Sequence, residues 1–316
     1  MSNRVFISGM GVVSPAGWGV EPFRLARTAG QPLLRQELTG VPGRPGYLVF
    51  RVPPLSPRPA YLSHARLRRS SLVSQFAVGA AFEALGDDRT RIQQGELRLG
   101  VIAAVMSGGV NYSRRFYQEV LIQPSTASPL LFPETVFNAP ASHLAAVLGC
   151  TGRNYTLVGD QSAFGEGLAL AADWLSQGLV DRCLVVGAEE SDWLTAEAAN
   201  LFDLGPTSEG AGALCLSPEP QPIELTGITS PIPYVTGTPT HSNLPEIPAD
   251  DPTVSLAALR PVLGEGFAAA GAWSCVAAIQ DAADQPGRTV WAQLHGSNHQ
   301  AIGVGFRSVP STRPSR

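Results

Sequence analysis

Four cysteines and five histidines carry most of the reactive side chains of this 316-residue chain. Cys150, Cys183, Cys215 and Cys275 are far apart and lack Cys-x-x-Cys spacing, which argues against both a zinc site and a disulfide framework. They read as small buried hydrophobes. His64 lies in an arginine-rich stretch and reads as exposed. His143 follows Asn138 on a helical segment and reads as an interface or core-edge residue. His295 and His299 are four apart, but the turn Gly296-Ser297-Asn298 separates them and no thiol or acid cluster completes a metal site. All 22 basic residues are arginine. The absence of lysine excludes Schiff-base chemistry, a phosphate loop built on Gly-Lys-Ser/Thr and a lysine general base. Ser162, in the run Gly159-Asp160-Gln161-Ser162-Ala163-Phe164-Gly165, suits a hydrogen-bonding role at a helix start.

The elements that must position these residues alternate. Val5–Val13 is a glycine-punctuated strand that ends in the turn Pro15-Ala16-Gly17. Residues 30–60, rich in Pro, Gly and Arg, read as an extended surface excursion. Ser70–Leu85 has helical apolar spacing, and Leu99–Val105 is a continuous apolar run, as for a strand covered on both faces. Helices are expected over Thr135–Leu148 and Ser162–Gln177, and strands over Tyr155–Val158, Arg182–Gly187 and Gly212–Leu216. After a break at Pro218, Pro220 and Pro222 come a strand at Ile223–Ile228, a loop over 230–253 and a helical stretch over Leu256–Ile279. Strands at Val290–Leu294 and Ala301–Val304 close the pattern, and Pro310–Arg316 reads as a disordered tail. Such alternation specifies helices packed on a sheet.

Composition narrows the function. Hydrophobic residues make up 44% of the chain and charged residues 15%, against about a quarter charged in ordinary soluble domains. Few charges over this length favour a large core and a large interface over disorder. A net charge of −4 argues against general nucleic-acid binding. No apolar run reaches the ~20 residues of a membrane span. Met1-Ser2-Asn3-Arg4 leads straight into the first strand without signal-peptide architecture, so a cytoplasmic protein is expected.

Several segments, in order, resemble the β-ketoacyl synthases of the thiolase superfamily. Val5–Pro15 is similar to their first strand and turn. Phe132-Pro133-Glu134-Thr135-Val136-Phe137-Asn138, followed by Leu148-Gly149, is similar to their dimer-interface region. Gly178-Leu179-Val180-Asp181 with Gly187-Ala188-Glu189 matches the end of their nucleophile helix and the next strand. Phe202-Asp203 and Glu209-Gly210-Ala211-Gly212 match the following landmark. Gly264, Ala269-Ala270-Gly271-Ala272 and Gly296-Ser297-Asn298 match more faintly. The resemblance implies a layered α-β-α-β-α fold of two pseudo-equivalent halves, here 1–217 and 218–309, followed by the tail 310–316. The second half is shortened.

The resemblance also implies an active site of one Cys, two His, a Lys and a gating Phe. The Cys would head the central helix, where the helix N-terminus lowers a thiol pKa and amides can hold an oxyanion. That position falls at Gln161, and an amide cannot form a thioester. The first His falls in the region of Tyr234–Thr240, with His241 near but out of register. The second His falls at Glu265, the Lys at Arg260 and the Phe at Leu294. A condensing enzyme needs a thiolate and imidazoles, which this set does not supply. No metal or other cofactor is expected.

Among ketosynthase-like proteins, Gln at the Cys position marks two kinds of relative. One is the chain-length factor, a catalytically silent subunit paired with an active β-ketoacyl synthase in type II polyketide biosynthesis, for aromatic or polyene products. The other is a malonyl-thioester decarboxylase, which keeps its histidines. Glu265 would repel the enolate such an enzyme must stabilise, which favours the chain-length factor, a subunit that is not an enzyme on its own. A degenerate homologue that only stabilises its partner is the third reading. Tyr112, Phe116, Tyr117, Phe132, Phe137 and Asn138 are the candidates to line the subunit interface and its acyl tunnel. Arg66, Arg68 and Arg69 are candidates to receive an acidic acyl carrier protein through the complex.

Overall fold

The computed structural model describes residues 4–39, 43–233, 244, 246–296 and 300–309. In chain order its elements are β1 (Val5–Ser14), β2 (Gly17–Trp18), α1 (Val20–Ala29), β3 (Gln36–Leu38), β4 (Tyr47–Val49), α2 (Leu72–Leu85) and α3 (Asp88–Gln93). There follow β5 (Leu99–Val105), α4 (Val110–Ile122), α5 (Ala139–Leu148), β6 (Asn154–Val158), α6 (Gln161–Ser176), β7 (Arg182–Glu189), α7 (Trp193–Leu201) and β8 (Gly210–Ser217). The chain then forms β9 (Ile223–Ile228), β10 (Ile232–Pro233), β11 (Thr253–Ser255), α8 (Leu256–Leu263), α9 (Phe267–Asp284), β12 (Thr289–His295) and β13 (Gln300–Ser308).

Among the described residues the long sheet runs β11-β12-β13-β9-β1-β8-β7-β5-β6. Its two ends repeat one plan. β5 lies parallel to β7, which is antiparallel to β8, which is antiparallel to β1. Likewise β11 lies parallel to β12, which is antiparallel to β13, which is antiparallel to β9. The two parts join where Val5–Ile7 of β1 pairs with Ile223–Leu225 of β9. The counterpart of β6 is not found beside β11 among the described residues.

Helices α6 and α9 fill the space between the two parts and touch strands of both. Their inward residues, among them Phe164, Leu168, Ala272 and Val276, share one core with Val185, Leu214, Leu294 and Val304. Small residues set the closeness of this layer. A Cβ on Gly187 would lie 2.2 Å from Ala268 O, and one on Gly271 would lie 2.8 Å from Gln161 O. α2 and α5 cover the opposite face of the first part, in a second core with Val101, Val105, Leu184 and Val186. Helix, sheet, helix and sheet thus stack in the expected order. Over the outer face of β12 and β13 the described cover is a short non-helical segment: Ile247 lies against Gly303, and Asp251 accepts a hydrogen bond from Trp291 Nε1 at 2.9 Å.

Three local expectations change. The 30–60 excursion contains the β3–β4 hairpin and is anchored by buried Val49 and Phe50, with Phe50 bridging to Ser208. The helix expected from Thr135 starts at Ala139, because residues 132–134 form a 3-10 turn around Pro133. The single helical stretch over 256–279 is two helices. Gly264 (φ +83) and Phe267 (φ +45) take conformations that interrupt the hydrogen-bond ladder between α8 and α9. The expected tail and the Tyr234–Thr240 and His241 region lie outside the described residues, as do Ser297, Asn298 and His299.

Candidate functional site

Gln161 is the first residue of the 16-residue helix α6 and is 3% exposed. Asp160 caps the helix, its Oδ1 accepting from the amide and the hydroxyl of Ser162 at 3.4 Å. The Gln161 Oε1 is buried and has no hydrogen-bond partner among the described residues. Burial pushes all four cysteine thiols up: Cys215 to about 11, with Cys183 and Cys275 higher and Cys150 raised as well. Three of them sit inside β7, β8 and α9. None is positioned or ionised to serve as the nucleophile of an acyl transfer.

Glu265 lies in the break between α8 and α9, 3% exposed. Its Oε2 accepts from Arg260 Nη2 at 2.5 Å and its Oε1 from the Phe267 amide at 2.8 Å. Burial raises its pKa, the Arg260 charge and the Phe267 amide pull it back, and Asp160 is close enough to add a further upward push. Arg260 therefore serves as the counter-ion of Glu265, and its own side chain is 42% exposed. Leu294 lies within β12, not in the glycine turn, and is fully buried facing Gly165 of α6. The fold thus gathers Gln161, Glu265 and Leu294 around the α6–α9 packing layer.

The interface candidates also gather, on α4 and residues 132–138. Phe116 and Phe132 rings stand 5.7 Å apart, and Phe137 packs on Gly108. Tyr112 donates its hydroxyl to Arg69 O at 2.6 Å. Asn138 is exposed at the start of α5. Beside them Tyr117, Leu121, Ile122 and Leu130 are more than three-fifths exposed, and the edge strand β6 shows Tyr155 and Val158 half-exposed. Large apolar side chains are thus exposed both along α4 and the segment after it and on the edge strand β6. Arg66, Arg68 and Arg69 are exposed just before α2 and have no acidic partner among the described residues. His64 is exposed too, its Nδ1 accepting from the Arg66 amide.

Sequence reasoning missed the buried carboxylates that hold this region. Glu190 accepts from the Leu72 and Val73 amides with one oxygen and from the Asn111 amide with the other, so one side chain caps α2 and α4. Glu134 accepts from the Ser71 amide and pairs with His143 Nε2 at 2.5 Å. Glu189 holds the amides of Met106 and Ser107, and burial pushes its carboxyl up to about 8. Asp192 caps α7 and pairs with Arg114 at 2.7 Å. The acidic run Glu189-Glu190-Ser191-Asp192 at the end of a buried strand was the available signal. Among the described residues no helix is long and apolar enough to cross a membrane, and no cluster of acids, His and Cys could hold a metal.

Residues 46–202 match the family described as Beta-ketoacyl synthase, N-terminal domain. The chain is 26% identical over 195 residues to a 3-oxoacyl-(acyl-carrier-protein) synthase 2 of Vibrio cholerae, covering 60% of this chain and 46% of that protein. It is 27% identical over 193 residues to the Tetracenomycin polyketide synthase ketoacyl synthase beta subunit of Streptomyces glaucescens, covering 59% and 46%. The match thus spans about half the length of these curated relatives. Among solved structures, the ishigamide ketosynthase/chain length factor superposes with a TM-score of 0.76 at 17% identity, over 97% of this chain and 100% of that one. A ketosynthase in complex with its chain length factor from Xenorhabdus doucetiae superposes at 0.72 and 16%, over 97% and 98%. The ordered motifs, the repeated strand plan around paired central helices and the match over 46–202 identify a β-ketoacyl synthase N-terminal domain within this chain.

Proposed function

We propose that this chain is a non-catalytic, chain-length-factor-like subunit that pairs with an active β-ketoacyl synthase in type II polyketide biosynthesis and shapes the acyl tunnel at their interface. The observation that carries the reading is Gln161: a buried amide heads the central helix where an acyl-accepting thiolate would stand. The Arg260–Glu265 pair supports it, because a carboxylate fixed there opposes the enolate of a decarboxylation. The exposed apolar face of α4, residues 132–138 and β6 is of the kind that an obligate partner covers. In this reading Phe116, Phe132 and Phe137 reach the tunnel wall, Tyr112 holds their frame through Arg69, and Tyr117 and Asn138 meet the partner. Arg66, Arg68 and Arg69 guide the acidic carrier protein to the complex. The two pseudo-equivalent halves divide near residue 217.

The test is co-expression with a catalytic β-ketoacyl synthase from the same source, followed by size measurement and product profiling. A stable complex of the two chains is expected, and Tyr155→Arg with Val158→Arg should separate them while each remains folded. Phe137→Ala or Phe116→Ala should shift product length with the complex intact. Condensation by the isolated chain, or failure of the two proteins to associate, would overturn the proposal. Loss of expression without any change in product length would reduce the role to structural support.

A further inference from the structure

We infer that a cavity of about 340 Å³ between residues 51–58 and the start of α2 binds a small amphipathic monocarboxylate. At the ~30 Å³ that a water molecule occupies in the liquid, the space suits a ligand of roughly ten non-hydrogen atoms. The inference comes from a charge imbalance set against apolar walls, and it is independent of the pairing role proposed above.

Arg51, Arg58 and Glu209 line the cavity. The Glu209 carboxylate is 2% exposed and fully engaged: Oε1 accepts from the Val52 amide and from Arg51 Nε, and Oε2 from the Ser191 amide. It balances one guanidinium. Arg58 meets only neutral acceptors, its Nη2 donating to Leu62 O and Gln75 Oε1, both at 3.1 Å. No carboxylate pairs with it among the described residues. Arg58 is exposed to solvent, and it gives the cavity lining one guanidinium that no carboxylate pairs. With both Nη2 protons engaged, Nη1 and Nε are left to donate single charge-assisted hydrogen bonds to a carboxylate oxygen. Trp18 and Phe76 also line the cavity; their rings meet edge to face at 5.8 Å, with the Trp18 indole fixed by its bond to Pro53 O. One net cation and an aromatic wall select a singly charged ligand with a short hydrocarbon body over a doubly charged phosphate.

The full-length chain should be titrated calorimetrically with hexanoate, hexanamide and inorganic phosphate at matched ionic strength. Hexanoate is expected to bind saturably at one site per chain, at least tenfold tighter than either comparator. Arg58→Gln should weaken hexanoate at least tenfold with an unchanged melting temperature in the absence of ligand, and Arg58→Lys should recover part of the loss. Absence of saturable hexanoate binding, equal binding of hexanamide or phosphate, or unchanged binding by a folded Arg58→Gln protein would each overturn the inference. The ligand series on the unaltered protein decides the matter even if the variants do not fold.

Discussion

On the outer face of β7 and β8 stand Leu184, Val186 and Ala188 opposite Cys215, Ala213 and Ala211, and the helical layer of α2 and α5 covers that face. On the matching face of β12 and β13 stand Thr289, Trp291, Gln293 and His295 opposite Arg307, Gly305, Gly303 and Ala301, and no described helix covers them. The inner faces do not differ in this way. Val185 and Leu214 on one side and Ala292 and Val304 on the other all face α6 or α9. The same strand plan is therefore finished in two ways, and side-chain polarity follows whatever packs on top. Trp291 does part of the covering itself: it lies across Gly227 and Gly305 and bonds Asp251.

The comparison can be broken most sharply at Gly11. A Cβ there would lie 2.0 Å from the backbone oxygen of Ala80 in α2, and neither backbone can yield. Gly11→Val is expected to cost more than about 4 kcal/mol and to abolish soluble yield. Glu190→Ala leaves three amides, that of Val73 buried, without their shared acceptor and loosens α2 and α4 together, an expected loss of about 3 kcal/mol in urea unfolding. Trp291→Ala strips the cover of the second part and should cost about 3 kcal/mol, whereas Trp291→Phe, which loses the bond to Asp251, should cost only about 1 kcal/mol. Gly305→Ala is the counter-test to Gly11. The atoms it meets are side-chain atoms of Thr226, Thr289 and Trp291, so a loss of about 1 kcal/mol is expected. A collapse as complete as that of Gly11→Val would show the second face to be packed as tightly as the first.

The smallest expected effect is a pH dependence. The Arg4 hydrogen bonds, with Arg307, hold Glu224 down at about 2 from an ordinary 4.5. Its folded pKa is depressed, so its contribution is fully present above pH 4.5 and is lost as pH falls toward 2. With Arg4 half-exposed, the contribution is on the order of 1 kcal/mol. Glu224→Gln should flatten that part of the stability profile and leave neutral-pH melting lower by a few degrees.

Strands were the most legible part of the sequence. Leu99–Val105 and Ile223–Ile228 keep the bounds expected of them; for the first, an apolar run buried on both faces is a local signal. The break between α8 and α9 was not legible, since the Ala-rich stretch continues the helical pattern and only the backbone at Gly264 and Phe267 interrupts it. α4 keeps Val110 as its single buried residue, so its other apolar side chains do not report on the core of this chain. For the site, Gln161 could be placed because α6 reads clearly on one side of it. The role of Glu190 could not, because its partners lie 79 and 118 positions away. Glu265 was located by its neighbours in sequence, but its bond to Arg260 depends on the turn that sequence patterning did not reveal.

The ends of the sheet set how many neighbours the molecule accepts. Among the described residues β6 is an edge strand, five residues long and carrying exposed Tyr155 and Val158, while β11 is three residues long and preceded by Asp250, Asp251 and Pro252. Charges and proline blunt a strand against further pairing. Among the described residues, strand addition is therefore favoured at the β6 rim alone, which limits strand-by-strand growth to one side of the sheet.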